Sequence, residues 1–414
     1  MWKNLKWNFI LKWVCAFIIA GILIGATSFI TYRAAYRSFE DQNFIVKNNN
    51  INFDSKADKK LIDKFKEIQK YIKDNFYLPY NENSLVEGSI TGMVDGLGDP
   101  YTKYYNAQQI KERTDQLQGE YIGIGAEISF QDQNYILIGD VKDNTPAADA
   151  GIKPLDKIIA IDGKKISDYK NNEYWDLFAE QGKKIDLTLL RDQDTIEVEL
   201  TVSKIVEQSV FSDMLTDNVG YIRISMFDAK VSRDYQTELD ALLNKSMEKL
   251  VLDLRDNGGG LVSEMSKIAS SILRDGDLIY YEVDKSGEKK QVTYAKEQSL
   301  NIPVVVLINE NTASAAEILA SALRDNGRVK LVGMKTYGKA VSQVTKMFDD
   351  GTGLVITISQ YYTKSGYNIQ NTGLKPDGGY EIESSDEYKN TKVQYIPREN
   401  DLQLNTALDL LKNG

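Results

Sequence analysis

The chain has 414 residues and no histidine. A Ser-His-Asp triad and a Cys-His pair are therefore excluded, and any serine nucleophile must give its proton to another kind of base. A zinc site would have to be made of carboxylates alone, which is unfavourable, so no metal is expected. The single cysteine, Cys15, excludes an intramolecular disulfide and lies in an apolar segment, away from any candidate site. Positive charge is in deficit, with 50 Lys and Arg against 60 Asp and Glu, a formal charge of −10, which argues against nucleic acid as a partner. There is no GxxxxGK[ST] phosphate loop and no internal repeat. No cofactor is called for.

What is present begins with an apolar run. Lys3, Lys6 and Lys12 precede Trp13 to Tyr32, twenty residues without a charged side chain. At 1.5 Å per residue this is about 30 Å of helix, enough to span a bilayer. The early lysines place the amino end in the cytoplasm and the body outside it, although Arg33 and Arg37 weaken that bias. The alternative is a cleaved signal peptide, for which Gly25-Ala26-Thr27-Ser28 supplies small residues; the length of the run favours a retained anchor. The expectation is a single-pass cell-membrane protein with an extracytoplasmic body. Residues 38–56 are polar and read as a linker after an anchor at 1–37. Residues 57–117 are mostly helical by period, with Leu61, Phe65, Ile68, Tyr71 and Ile72 on one stripe, and Gly98-Asp99-Pro100 breaking the pattern.

Three segments carry candidate chemistry. Pro303 to Ile308 is a β-branched apolar run, read as a buried parallel strand, and Ala315, Ile318, Leu319, Ala322 and Leu323 then recur at helical spacing until Asn326-Gly327. Ser314 stands at the junction, at the positive end of the helix, where free N–H groups stabilise an oxyanion. A serine there is also an ordinary helix cap. Lys339 follows 25 residues later, and Gln343 four residues beyond it, so that on a strand the two side chains share a face and Gln343 can orient the amine. A lysine acts as base when its surroundings bring its pKa from about 10.4 to roughly 7–8. The strand-like run Lys249 to Arg255 meets Asp256-Asn257-Gly258-Gly259-Gly260, a loop that allows close backbone approach. Asp256 argues against a phosphate cradle there.

Together, the Asp-Leu-Arg-Asp-Asn-Gly-Gly-Gly stretch from Asp253, Thr312-Ala313-Ser314-Ala315-Ala316-Glu317-Ile318, Gly338-Lys339-Ala340-Val341-Ser342-Gln343 and Gly366-Tyr367-Asn368-Ile369-Gln370-Asn371-Thr372-Gly373-Leu374-Lys375-Pro376-Asp377 resemble, in order and spacing, the carboxyl-terminal processing (tail-specific) protease family. Asn257-Gly258-Gly259 stands where many members have Asn-Pro-Gly, and Ala316 where many have serine. The resemblance spans roughly 60–412 and includes Leu85 to Met93 with Asp99-Pro100-Tyr101. It implies Ser314 as nucleophile, Lys339 as general base and Gln343 as orienter, with an oxyanion hole from Ala315 N–H and a glycine of 258–260, taken as Gly259. It also implies an acyl-enzyme route.

Residues 118–206 resemble a PDZ domain, with Ile122-Gly123-Ile124-Gly125-Ala126 at the carboxylate-binding turn, followed by Thr145 to Ile152 and Leu155 to Gly163. Such a turn binds a terminal carboxylate while the peptide adds a strand to the sheet edge. Arg191 is a candidate sensor of tail binding.

The predicted architecture is multidomain α/β and α+β: membrane helix, helical region, PDZ domain, an α/β catalytic core at 207–380 resembling the ClpP/crotonase type, and a tail with a closing helix at 381–414. The expected function is a membrane-anchored Ser-Lys endopeptidase acting on proteins or peptides with exposed carboxyl-terminal tails, as a homodimer. A catalytically silent tail-binding adaptor is the rival from another class, and a non-peptidase acyl hydrolase a second.

Overall fold

The computed structural model describes residues 56–413 apart from 171–172, 216–217, 297–299 and 390; the predicted membrane span Trp13–Tyr32 lies outside them. Among the described residues, no helix is long and apolar enough to cross a membrane. Two compact units form: the described part of 1–107 with 343–357, and 108–342 with 358–414.

In the first unit, α1 (Lys56–Asn75) and α2 (Glu82–Asp95) are joined by a short turn. The Asn81 side chain caps α2 by accepting from Asn83 N–H. On α1 the apolar stripe of Leu61, Phe65, Ile68 and Tyr71 is exposed. Gly98-Asp99-Pro100 forms the expected break. Asp99 accepts from Tyr101 N–H (3.1 Å) and Thr102 Oγ1 (2.6 Å), leading into β1 (Lys103–Tyr105), which pairs antiparallel with residues 353–355.

The second unit starts with α3 (Ala107–Leu117) and β2 (Glu120–Gly123). A sheet follows in the order β3 (Ala126–Gln131), β4 (Ile136–Val141), β5 (Lys157–Ile161), β6 (Lys184–Arg191), β7 (Asp194–Thr201), so β3 is an edge strand. Alternation buries Ile185, Leu187 and Leu189 against Ile136, Ile138, Ile158 and Ile161. The short helix α4 (Trp175–Phe178) adds Phe178 to this core.

The larger core is built on a sheet ordered β8 (Val210–Met214), β9 (Val219–Ile224), β10 (Lys249–Asp253), β11 (Val304–Ile308), β12 (Val329–Gly333), parallel except for the antiparallel β8–β9 pair. Both faces are covered, which is why β10 and β11 read as continuous apolar runs. One face, with Ile222, Leu252 and Val306, packs on α5 (Val231–Asn244), α6 (Val262–Ile272) and α7 (Ala315–Asp325). The other, with Val251, Val305 and Leu307, is closed by Leu404, Ala407 and Leu411 of α8 (Leu402–Asn413).

The closing helix is anchored by charge as well as by packing. Arg255, only 1% exposed, donates to Asp253 at the end of β10 (Nη2 to Oδ2, 2.6 Å) and to Asp401 ahead of α8 (2.8 and 2.9 Å), with Gln403 Oε1 at 3.0 Å. Burial alone would lower the Arg255 pKa, but the two carboxylates hold it well above its ordinary value. Removing one partner leaves a buried charge short of its counter-ion. Asp401→Ala is expected to destabilise this core by about 3 kcal/mol, read as a lower urea midpoint for loss of α8 packing; a midpoint unchanged from the parent would refute it.

Candidate active site

Ser314 sits where the sequence placed it, as the residue before α7, but with a backbone that a serine rarely adopts: φ is 58° and ψ −121°. Such strain is typical of a nucleophile held proud of a strand-to-helix turn. The turn is pinned from below. Thr312, fully buried, accepts from Asn309 N–H (2.9 Å) and donates to Leu254 C=O (2.8 Å), and Ala313 N–H donates to Asn257 C=O (2.9 Å). Ala315 occupies the first position of α7, where N–H groups face outward along the helix dipole.

The glycine loop lies against this turn. A Cβ on Gly259 would fall 2.7 Å from Ser314 Cβ and 3.1 Å from Ala315 N, and φ there is 104°, so only glycine fits. The Gly259 N–H, the expected oxyanion donor, is engaged by Asn257 Oδ1 at 2.8 Å in this structure. The Asn257 side chain in turn donates to Ile224 C=O (2.8 Å). Sequence spacing alone gave no sign that the loop's own asparagine competes for this donor.

Lys339 differs from expectation in its setting. The strand begins only at Val341 (Val341–Met347), so Lys339 lies in the preceding loop, and the same-face argument with Gln343 does not apply. What fixes the loop is Glu317, in the first turn of α7 and fully buried. Its Oε2 accepts from Ser314 N–H (2.9 Å) and Lys339 N–H (2.8 Å); its Oε1 accepts from Gly338 N–H (2.8 Å) and Thr336 Oγ1. One carboxylate thus ties the Ser314 turn to the Lys339 loop. Burial pushes its pKa above the ordinary carboxylate value, against the pull of those four donors. The sequence carried a signal for it, the Ser-x-x-Glu capping pattern at 314–317.

The segment 366–377 backs the same loop. Leu374 N–H donates to Thr336 Oγ1 (2.7 Å), Asn371 N–H to Gly338 C=O (2.9 Å), and Ala340 N–H to Gln370 Oε1 (2.6 Å). This fourth motif is therefore scaffold for the lysine loop. Within the first unit, the Gln343 amide nitrogen donates to Tyr101 C=O.

Ahead of the PDZ-like sheet, Ile122 and Gly123 end β2, which pairs antiparallel with residues 203–206; Ile124 is buried, and Gly125 turns into Ala126 of β3 with φ 82°. A Cβ on Gly125 would strike Thr145 at 2.2 Å. A cavity of about 330 Å³ opens beside this turn, lined by Tyr121, Ile122, Trp175, Phe178 and Ala179 and, from α3, by the charged Lys111, Glu112 and Asp115. Arg191 grips Asp156 with two bonds (2.7 and 2.8 Å) and Gly151 C=O (2.7 Å), a brace within this domain.

Comparison with known proteins matches residues 218–379 to peptidase family S41, 121–202 to the PDZ domain, and 22–109 to the activating protease CtpB N-terminal domain. The chain is 33% identical over 316 residues to the carboxy-terminal processing protease CtpA of Bacillus subtilis strain 168, covering 76% of this chain and 68% of that protein. It is 30% identical over 380 residues to a Staphylococcus haemolyticus protein described as "Probable CtpA-like serine protease", covering 91% and 73%. A solved structure from Bacteroides fragilis NCTC 9343, classed with the S41 proteases, superposes with a TM-score of 0.54 at 20% identity over 77% of this chain and 87% of that one, a likeness of fold.

Two outcomes test the geometry. Glu317→Ala leaves three N–H groups and a hydroxyl without their buried acceptor, a loss of about 3 kcal/mol. Acylation of Ser314 by a serine-directed electrophile is expected to slow at least about tenfold; an unchanged rate would show that the carboxylate does not set the site. Burial opposes ionisation of Asp256, but bonds from Asn311, Val393 N–H and Asn309 hold its pKa below the ordinary aspartate value. A depressed folded pKa gives stability that is full above the unfolded value near 3.8 and is lost as pH falls through the folded one. Asp256→Asn should therefore flatten the acid limb of the stability profile below about pH 4, measured by urea midpoints against pH; an acid limb as steep as the parent's would contradict the assignment.

Proposed function

Since this chain belongs to peptidase family S41, among the carboxy-terminal processing serine proteases with a PDZ domain, we propose that it is a Ser-Lys endopeptidase that selects protein substrates by their carboxyl-terminal tails. The carrying observation is a buried carboxylate, Glu317, shared by the Ser314 turn and the Lys339 loop. With no histidine in the chain, Lys339 is the base. Its neutral amine takes the Ser314 Oγ proton as Oγ bonds to the scissile carbonyl carbon. The oxyanion rests on Ala315 N–H and on Gly259 N–H once the latter leaves Asn257. The C–N bond then breaks, the leaving amine takes the proton from Lys339, and water hydrolyses the acyl-enzyme with the same residue as base. Gln343 is assigned as orienter by the family pattern.

The substrate tail adds a strand to the open edge of β3, its carboxylate on the turn Ile122 to Ala126 and its last apolar side chain in the cavity of Ile122, Trp175 and Phe178. The exposed stripe of Leu61, Phe65 and Ile68 suits a second copy of the chain. Membrane anchoring by Trp13–Tyr32, with the body outside the cytoplasm, completes the reading.

The test is cleavage of an unfolded protein with an apolar carboxyl terminus by the full chain, beside Ser314→Ala and Lys339→Ala. Each variant is expected to lose about a thousandfold or more in rate while keeping its fold. Undiminished cleavage by Lys339→Ala would refute the lysine base. Tail binding without cleavage by the parent chain would favour the silent adaptor.

A further inference from the structure

The helix ahead of the PDZ-like sheet turns a polar face to the cavity beside the carboxylate-binding turn. On α3, Gln108, Lys111, Glu112 and Asp115 recur at spacings of three and four, so their side chains share one side of the helix. That side lines the cavity together with Tyr121, Ile122, Trp175 and Phe178. A helix stripe that packs on protein is apolar, as at the buried Ile110 of the same helix; this one is polar throughout. Its charges do not cancel. Lys111 pairs with Asp115 (2.7 Å). Glu112 accepts from the neutral Gln108 amide (2.6 Å) and forms no ion pair among the described residues. The stripe therefore carries one uncompensated negative charge. The rest of the lining is apolar and aromatic: Trp175 is 37% exposed, and its ring lies 6.0 Å from that of Phe178. At about 330 Å³ the cavity is more than twice the volume, about 150 Å³, that takes a benzene ring, so it admits two side chains.

We infer that this cavity selects tails by two residues at once: an apolar last residue on the surface of Ile122, Trp175 and Phe178, and an arginine two positions before it, with Glu112 as the specificity-determining residue. The inference rests on the tail-selective reading and adds the sequence class of the tail. In a strand added along β3 the side chains alternate, so the last and third-from-last residues point to the same side, about 7 Å apart. A long side chain at the third-from-last position reaches the α3 rim with its stem along Trp175. Arginine suits both walls. Its planar guanidinium stacks on an indole and gives a carboxylate two parallel hydrogen bonds, whereas lysine offers a point charge. A glutamate there would face Glu112, and Lys111 does not offset the repulsion because Asp115 already holds it.

Binding is measured with the full chain carrying Ser314→Ala, so that peptides stay intact. The readout is fluorescence anisotropy of amino-terminally labelled peptides that end in leucine and differ only at the third-from-last residue. The arginine peptide is expected to bind at least about fivefold more tightly than the glutamate peptide, with lysine between them. The difference should shrink in high salt. Glu112→Lys is expected to reverse the order, and Glu112→Gln to bring the arginine and glutamate peptides within about twofold of each other. Glu112 is exposed, so neither change disturbs the core. Trp175→Leu is expected to erase the advantage of arginine over lysine and to keep that of lysine over glutamate. Equal affinities for the arginine and glutamate peptides, or an order that survives Glu112→Lys, would overturn the inference and leave tail selection standing. If the free-acid peptides bind no more tightly than their carboxyl-terminal amides, the tail-selective reading falls and this inference falls with it.

Discussion

Glu317 is the constraint on which the site's geometry depends. A buried carboxylate needs donors on both oxygens, and here the donors come from two separate segments: Ser314 N–H on one side, and Thr336, Gly338 and Lys339 on the other. Residues 336–339 supply three donors, on both oxygens, and Ser314 adds the fourth, on Oε2. The buried charge is best satisfied when the Ser314 turn and the Lys339 loop are together, so desolvation of one group favours the juxtaposition that the proposed Ser-Lys chemistry needs. The strained Ser314 backbone is held by the same bond, since its N–H is the one Glu317 takes.

Around this hub the supports are layered. The parallel sheet, apolar on both faces, fixes the ends of β10 and β11, from which the glycine loop and the nucleophile turn emerge side by side, as ligand sites do at the carboxyl ends of parallel strands. Arg255 then couples the end of β10 to the closing helix through Asp253 and Asp401. The last helix is therefore part of the foundation of the loop two residues away, although it is more than a hundred residues distant in sequence.

Much of this was legible in the sequence. Pro303 to Ile308, then Ser314 and the 3–4 spacing from Ala315 to Leu323, predict the strand, junction and helix that form, including the end at Asn326-Gly327. The helical spacing at Leu402 to Leu411 predicts α8. What was not legible came from long-range pairing. The spacing of Lys339 and Gln343 suggested one strand face, but the loop is pulled out of the strand by backbone bonds to Glu317 and to residues 370–374, which no local pattern encodes. Gly259 was read correctly as a place for close backbone approach, yet the hold of Asn257 on its N–H depends on a turn geometry that composition cannot reveal. Arg191 was read as a candidate sensor of tail binding, and its pairing with Asp156, 35 residues away in the chain, has no local signal.

The absence of histidine shapes the energetics of the whole centre. An imidazole works as a base near neutral pH with little help, whereas an amine must be brought down by its surroundings. A carboxylate facing the amine would do the opposite, because it favours the ammonium. Glu317 is close in sequence to Ser314, and a free acidic group so near a lysine base would be harmful. Both Glu317 oxygens are turned onto backbone N–H groups and Thr336, and the Lys339 main-chain N–H is one of these donors. The acidic group therefore acts on position, with its lone pairs already directed at peptide dipoles. In a chain where acidic residues outnumber basic ones, keeping this carboxylate buried and directed at the backbone is what would make the proposed lysine base compatible with its neighbour.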